Sequence, residues 1–128
     1  MIGYHYTSRA CWDAIRRSGA LEPYPMREEL RRDGCERGIW IWPRLLTGAA
    51  HAGSVLWQLH QKGAENVVLL SVRYSSEDVF KPPPGSGWAF GGVWHNGEFG
   101  VWKFHQHECS TILVNSVPLD RIALVAEF

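Results

Sequence analysis

The stretch Asn66–Tyr74, reading NVVLLSVRY, constrains this chain more than any other. An apolar run of that length, rich in valine and leucine, predicts a strand near the middle of a sheet, buried on both faces. Everything else in the sequence has to supply its neighbours and its cover. At 128 residues the chain is long enough to do so as one compact domain, residues 1–128, without covalent staples.

A second strand is expected at the start of the chain. Residues 1–8, MIGYHYTS, place His5 in the middle of a short apolar strand that Thr7-Ser8 stops. From Arg9 the pattern changes to that of a helix, with Ala10, Trp12, Ala14, Ile15 and Ser18 recurring at helical spacing. Ser8 is suited to cap its start and Gly19 to stop it. Gly38-Ile39-Trp40-Ile41-Trp42-Pro43 predicts a third strand, with both tryptophans on one face and both isoleucines on the other. Residues 44–62 carry leucine, alanine and valine at helical spacing and end at Gly63.

Between these elements, Tyr24 to Arg37 is polar, and its arginines alternate with acidic residues as on a solvated helix face. Residues 80–100 are rich in proline and glycine, with Trp88, Phe90, Trp94 and Phe99 among them, and predict an aromatic loop that rims a site or is pinned to the sheet. Val101 to Val114 reads as extended, Asn115 to Pro118 as a turn, and Asp120 to Glu127 as a last strand. The fold class expected is α+β, with a mixed or antiparallel sheet and N-terminal helices.

Composition narrows the function classes. Basic and acidic residues balance, at 13 each, so no long-range field draws the molecule to nucleic acid. Three cysteines, Cys11, Cys35 and Cys109, are odd in number and widely spaced, which signals no disulfide framework. With no secretory signal and no apolar run long enough for a membrane span, a cytoplasmic location is expected, or delivery into a target cell by a route without a classical signal. Phosphate-loop, dinucleotide-fingerprint, zinc-protease and serine-elbow motifs are absent from the sequence.

Three constellations could carry chemistry. His5 can donate or accept at a strand end, which suits a ribose hydroxyl, although a histidine in a strand is more often structural. Trp40 and Trp42 offer a face on which a planar ring, especially a cationic one such as nicotinamide, could stack. In His105-Gln106-His107-Glu108-Cys109 the three possible metal donors alternate along a strand without the turn that structural zinc sites use, so no metal site is expected. Glu108 is the better candidate, as a carboxylate able to stabilise a developing cation, with Glu98 as its rival.

Set in order, these pieces resemble small ADP-ribosyltransferase-like domains of the histidine–aromatic–glutamate type found among toxins and effectors. The resemblance lies in the opening Y-H-x-T-S strand, the helix ending in S-G-x-L-x-P, and the strand beginning at Gly38. The ending Ile112-Leu113-Val114 with Val117-Pro118-Leu119-Asp120-Arg121-Ile122 adds to it. It implies a split, curved sheet with NAD⁺ in the cleft. Carried over, His5 would bind the adenosine-side ribose, Tyr6 would offer backbone groups to the nicotinamide amide, and Thr7 would complete that wall. Trp40, with Trp42 beside it, would stack the nicotinamide. Glu108 would be catalytic, although it lies two residues before the position at which counting puts the family's glutamate.

The resemblance thus implies transfer of ADP-ribose from NAD⁺ to a macromolecular acceptor, a protein before a nucleic acid, with no membrane partner. Two other readings stay open: a non-catalytic interaction or inhibitor module on the same fold, and a relative acting on RNA ends as a 2′-phosphotransferase. The second needs basic residues round a phosphate, for which Arg9, Arg44 and Arg73 are the candidates.

Overall fold

The computed structural model of the chain describes residues 1–26, 28–42, 66–81, 83, 88–89, 92–95, 98–100 and 111–128. Among these the fold is mixed α and β, mostly short strands, and every strand pairing is antiparallel.

The expected central strand is β5, Val67–Arg73, flanked by β1, Ile2–Ser8, and β11, Ile122–Glu127. Alternation gives β5 two buried faces. Val68, Leu70 and Val72 face the main core with Trp12, Ile15 and Ile41, while Val67 and Leu69 pack with Tyr6 on the other side. Each fully buried aliphatic side chain here contributes about 1.5–3 kcal/mol. Leu124 and Val125 of β11 remain exposed, and the register of that strand shifts between Leu124 and Ala126. Such an irregularity helps to keep an edge strand from pairing with other chains.

Helix α1, Arg9–Ser18, forms as its end signals predict. The Ser8 hydroxyl accepts from the Cys11 N–H, and Gly19 sits at φ 87° with its N–H donated to the Ile15 carbonyl. That left-handed turn suits glycine. Trp12 and Ile15 bury the inner side of α1 against the face of β5.

A second layer holds β4, Arg37–Ile41, between β3, Tyr24–Pro25, and β9, Thr111–Leu113. Ile39 and Ile41 of β4 are fully buried in the main core. Helix α2, Glu28–Arg32, lies between β3 and β4 in sequence, and its Leu30 is buried with Met26, Cys35 and Ile112.

Four expectations need correction. The polar segment from Tyr24 to Arg37 is not one helix face: its ends pair as strands, Tyr24 with Gly38 and Pro25 with Arg37, and only five residues between them are helical. Val117–Pro118, read as part of a turn, forms β10 and pairs with β2, Ala20–Leu21. Proline is tolerated there because β10 is an edge strand, and buried Val117 draws it onto the core. The last strand starts at Ile122 rather than Asp120, since Leu119–Arg121 makes a 3-10 turn first. Within 80–100, Trp88–Ala89, Gly92–His95 and Glu98–Gly100 are strands β6, β7 and β8, paired in succession, where a loop was expected. Asn96-Gly97 falls between β7 and β8 in sequence and is a pair that favours tight hairpins.

The expected helix over 44–62 lies outside the described residues. Among the described residues no helix is long and apolar enough to cross a membrane.

Candidate functional site

The two layers meet where β1 and the end of β4 touch. Tyr4 donates its N–H to the Trp42 carbonyl at 2.8 Å, and Trp42 donates back to the Tyr4 carbonyl at 2.9 Å. Close approach is possible because residue 3 is glycine. A Cβ at Gly3 would run into Cγ2 of Ile41 and come within 3.0 Å of the Tyr74 ring. The two strands share no further bridge among the described residues.

Antiparallel strands present the N–H and C=O of alternate residues to the same edge. On β4 the edge away from β9 therefore carries Gly38, Trp40 and Trp42. Gly38 lies beside Tyr24 of β3, and Trp42 is bonded to Tyr4 of β1. Trp40 falls in the gap between those two neighbours, and its main chain is satisfied by side chains. Its N–H donates to the Tyr24 hydroxyl at 3.3 Å, and its carbonyl accepts from Nδ1 of His5 at 2.8 Å. Leaving such groups without partners in a covered position costs roughly 1–3 kcal/mol each, so the two side chains do the work of a missing strand.

This contact fixes the state of His5. A carbonyl oxygen can only accept, so Nδ1 carries the proton. Burial holds the imidazole pKa below its usual value, against the opposing pull of the Trp40 carbonyl. The ring is accordingly neutral at pH 7, and Nε2 is a bare acceptor. His5 is only 7% exposed, and Nε2 has no hydrogen-bond partner among the described residues. Tyr24 stands beside it, with ring centroids 6.5 Å apart, and is 37% exposed. Burial of its hydroxyl end pushes the Tyr24 pKa up, only partly offset by the Trp40 N–H, and keeps the phenol protonated.

The other residues singled out from the sequence fall in different places. Thr7 is buried on the same face of β1 as His5, opposite Val68 in register. The Tyr6 side chain points to the opposite face, packs with Val67 and Leu69, and lies 6.0 Å from the Phe128 ring. Strand alternation turns the Tyr6 main-chain groups toward the same edge as those of Tyr4, the edge facing β4.

The two tryptophans do not make one stacking surface. Trp40 packs on Met26, Leu30 and Ile112, whereas Trp42 packs with Tyr4 and Tyr6 on the far side of the first sheet. The chain crosses from one layer to the other between them, which separates side chains that simple alternation would place together.

Comparison with protein-family models, curated proteins and solved structures finds no match for this chain. The site therefore rests on its own geometry. Glu108, Arg44 and the alternating donors His105, His107 and Cys109 lie outside the described residues. Glu98 lies in β8, opposite His95. Arg9 is engaged by Asp13 and Glu127, and Arg73 donates to the Asp120 carbonyl at 2.7 Å. Neither arginine forms part of the His5–Trp40–Tyr24 group. No cluster of three or more potential metal-binding side chains occurs among the described residues.

Tyr24 is the residue that sequence reasoning missed. It sits in a polar stretch with no motif of its own, and its importance comes from the main chain of a residue 16 positions away.

Proposed function

We propose that the notch between β1 and β4 binds NAD⁺, and that the protein transfers the ADP-ribose unit to a macromolecular acceptor, a protein in preference to a nucleic acid. The fold this reading draws on is the split sheet of ADP-ribosyltransferase-like domains. The observation that carries it is the His5–Trp40 hydrogen bond, which holds a neutral, buried imidazole with Nε2 ready to accept from a ribose hydroxyl. Balanced charge favours a protein acceptor, since a nucleic-acid partner would be met by an excess of basic residues.

In this reading His5 orients the adenosine-side ribose, and main-chain groups of Tyr6 meet the nicotinamide amide. The half-buried Trp40 stacks the nicotinamide ring. The bond between C1′ of the ribose and the nicotinamide nitrogen breaks, its electron pair leaving with neutral nicotinamide. The acceptor side chain forms the new bond to C1′ and gives up its proton. Glu108 hydrogen-bonds the ribose 2′-hydroxyl and stabilises the oxocarbenium-like charge that develops between those events.

The test is a transfer and glycohydrolase assay with NAD⁺ labelled in the adenine moiety, comparing the wild type with Glu108→Ala and Glu98→Ala. Activity in the wild type that falls at least about 100-fold in Glu108→Ala and persists in Glu98→Ala is expected. Full activity in Glu108→Ala removes that carboxylate from the mechanism. Absence of both turnover and NAD⁺ binding in the wild type removes the reading.

A further inference from the structure

The gap beside Trp40 is closed by two side chains whose unused valences are complementary. His5 spends its Nδ1 proton on the Trp40 carbonyl and is left with an acceptor at Nε2. Tyr24 spends an oxygen lone pair on the Trp40 N–H and is left with an O–H donor that has no acceptor among the described residues. Both are anchored on the same residue, and their ring centroids lie 6.5 Å apart. Burial leaves His5 7% exposed, so its remaining nitrogen is costly to desolvate unless something bonds to it. Tyr24, at 37% exposed, is reachable from solvent.

A neutral donor beside a neutral acceptor, both held by the main chain of one residue, suits a ligand that offers the same pair in reverse. A vicinal diol does so: one hydroxyl gives its proton to Nε2, and its neighbour accepts from the tyrosine. A phosphate does not, because it would leave Nε2 facing an acceptor. An isolated hydroxyl would satisfy only one of the two.

We propose that Tyr24 and His5 together read the cis-diol of a ribose, with Tyr24 a specificity-determining residue that donates to one hydroxyl while His5 accepts from the other. This rests on the notch being an NAD⁺ site and names the part of NAD⁺ that is held there. Tyr24 thereby has two tasks. It holds the Trp40 main chain in place, and it discriminates a ribose from a deoxyribose.

The experiment uses isothermal titration with three probes: NAD⁺, NAD⁺ built on 2′-deoxyadenosine, and NAD⁺ built on 3′-deoxyadenosine. The full chain is compared with Tyr24→Phe, which keeps the ring and removes the hydroxyl. For the wild type, each deoxy analogue is expected to bind about 3- to 10-fold more weakly than NAD⁺, one neutral hydrogen bond apiece. In Tyr24→Phe, NAD⁺ weakens by a similar factor, and the penalty for one analogue disappears while the penalty for the other persists. A purely structural role for Tyr24 predicts equal weakening of all three probes with both penalties intact, and that result overturns the proposal. Equal binding of all three probes by the wild type also overturns it, without recourse to the variant. If the wild type binds none of them, the NAD⁺ reading fails as well. If it binds NAD⁺ normally and only the pattern of penalties is wrong, the diol inference alone falls.

Discussion

Nδ1 of His5 donates to the main-chain oxygen of Trp40 across 2.8 Å, joining strands that are otherwise bridged only through Tyr4 and Trp42 among the described residues. A side chain here replaces a rung of the sheet. The substitution has a consequence for chemistry, because the bond that repairs the sheet also selects the tautomer that leaves Nε2 bare.

The pH dependence follows from that bond and its burial. Burial lowers the folded-state pKa of His5 below the 6.5 of the exposed residue, and the Trp40 carbonyl opposes the shift without cancelling it. The unfolded chain therefore binds more protons between the two values, so stability rises with pH in that window. The His5 contribution is complete above about pH 6.5 and declines as pH falls through the folded value. Urea unfolding of wild type and His5→Asn between pH 7.5 and 5 should show a steeper acid-side loss in the wild type. Parallel curves would contradict this account.

Gly3 makes the contact between layers possible, so its replacement acts at a distance from any ligand. Alanine would put a methyl group into Ile41 and against the Tyr74 ring, in a core with no room to give. Gly3→Ala is expected to destabilise the protein by about 1–3 kcal/mol in denaturant unfolding. Combined with Ile41→Ala, which removes the clashing Cγ2, the added cost of Gly3→Ala should shrink. Strict additivity of the two substitutions would show that the strand approach is not the cause.

A separate prediction concerns Asp78, which ties the turn after β5 to the segment after β9. Its carboxylate accepts from the Ser75 N–H at 3.0 Å and from the Asn115 side chain at 3.0 Å, and Arg121 lies 3.7 Å away. The Ser75 N–H and then the Asn115 amide hold its pKa below the usual carboxylate value. That contribution is present above about pH 3.8 and is lost as pH falls through the lowered folded value. Asp78→Ala should cost about 0.5–2 kcal/mol at pH 7, measured by urea unfolding, and much less near pH 2. An equal loss at both pH values would place the effect elsewhere.

How far the sequence discloses this structure depends on where each constraint resides. The strand β5, the strand β1 and the helix α1 are readable because burial on one or both faces leaves a periodic apolar trace, and Ser8 and Gly19 mark the helix ends. The pairing of Pro118 with Ala20 is not, because a two-residue edge strand is too short to show alternation. His5 stands out by residue type, yet its partner is a carbonyl oxygen, which every residue carries. Tyr24 gives still less sign of itself: its partner is an N–H, and its strand is two residues long. Trp40 and Trp42 alternate correctly but part company because the chain passes from one layer to the other between them.

The most direct measurement is calorimetric titration of NAD⁺ into the wild type and His5→Asn. Asparagine can return an N–H to the Trp40 carbonyl while deleting the nitrogen that awaits a ribose hydroxyl, so the variant keeps the strand junction and loses the acceptor. The account predicts saturable binding to the wild type and affinity reduced about 3- to 10-fold in a folded His5→Asn. No binding by the wild type, or undiminished binding by the variant, would contradict it.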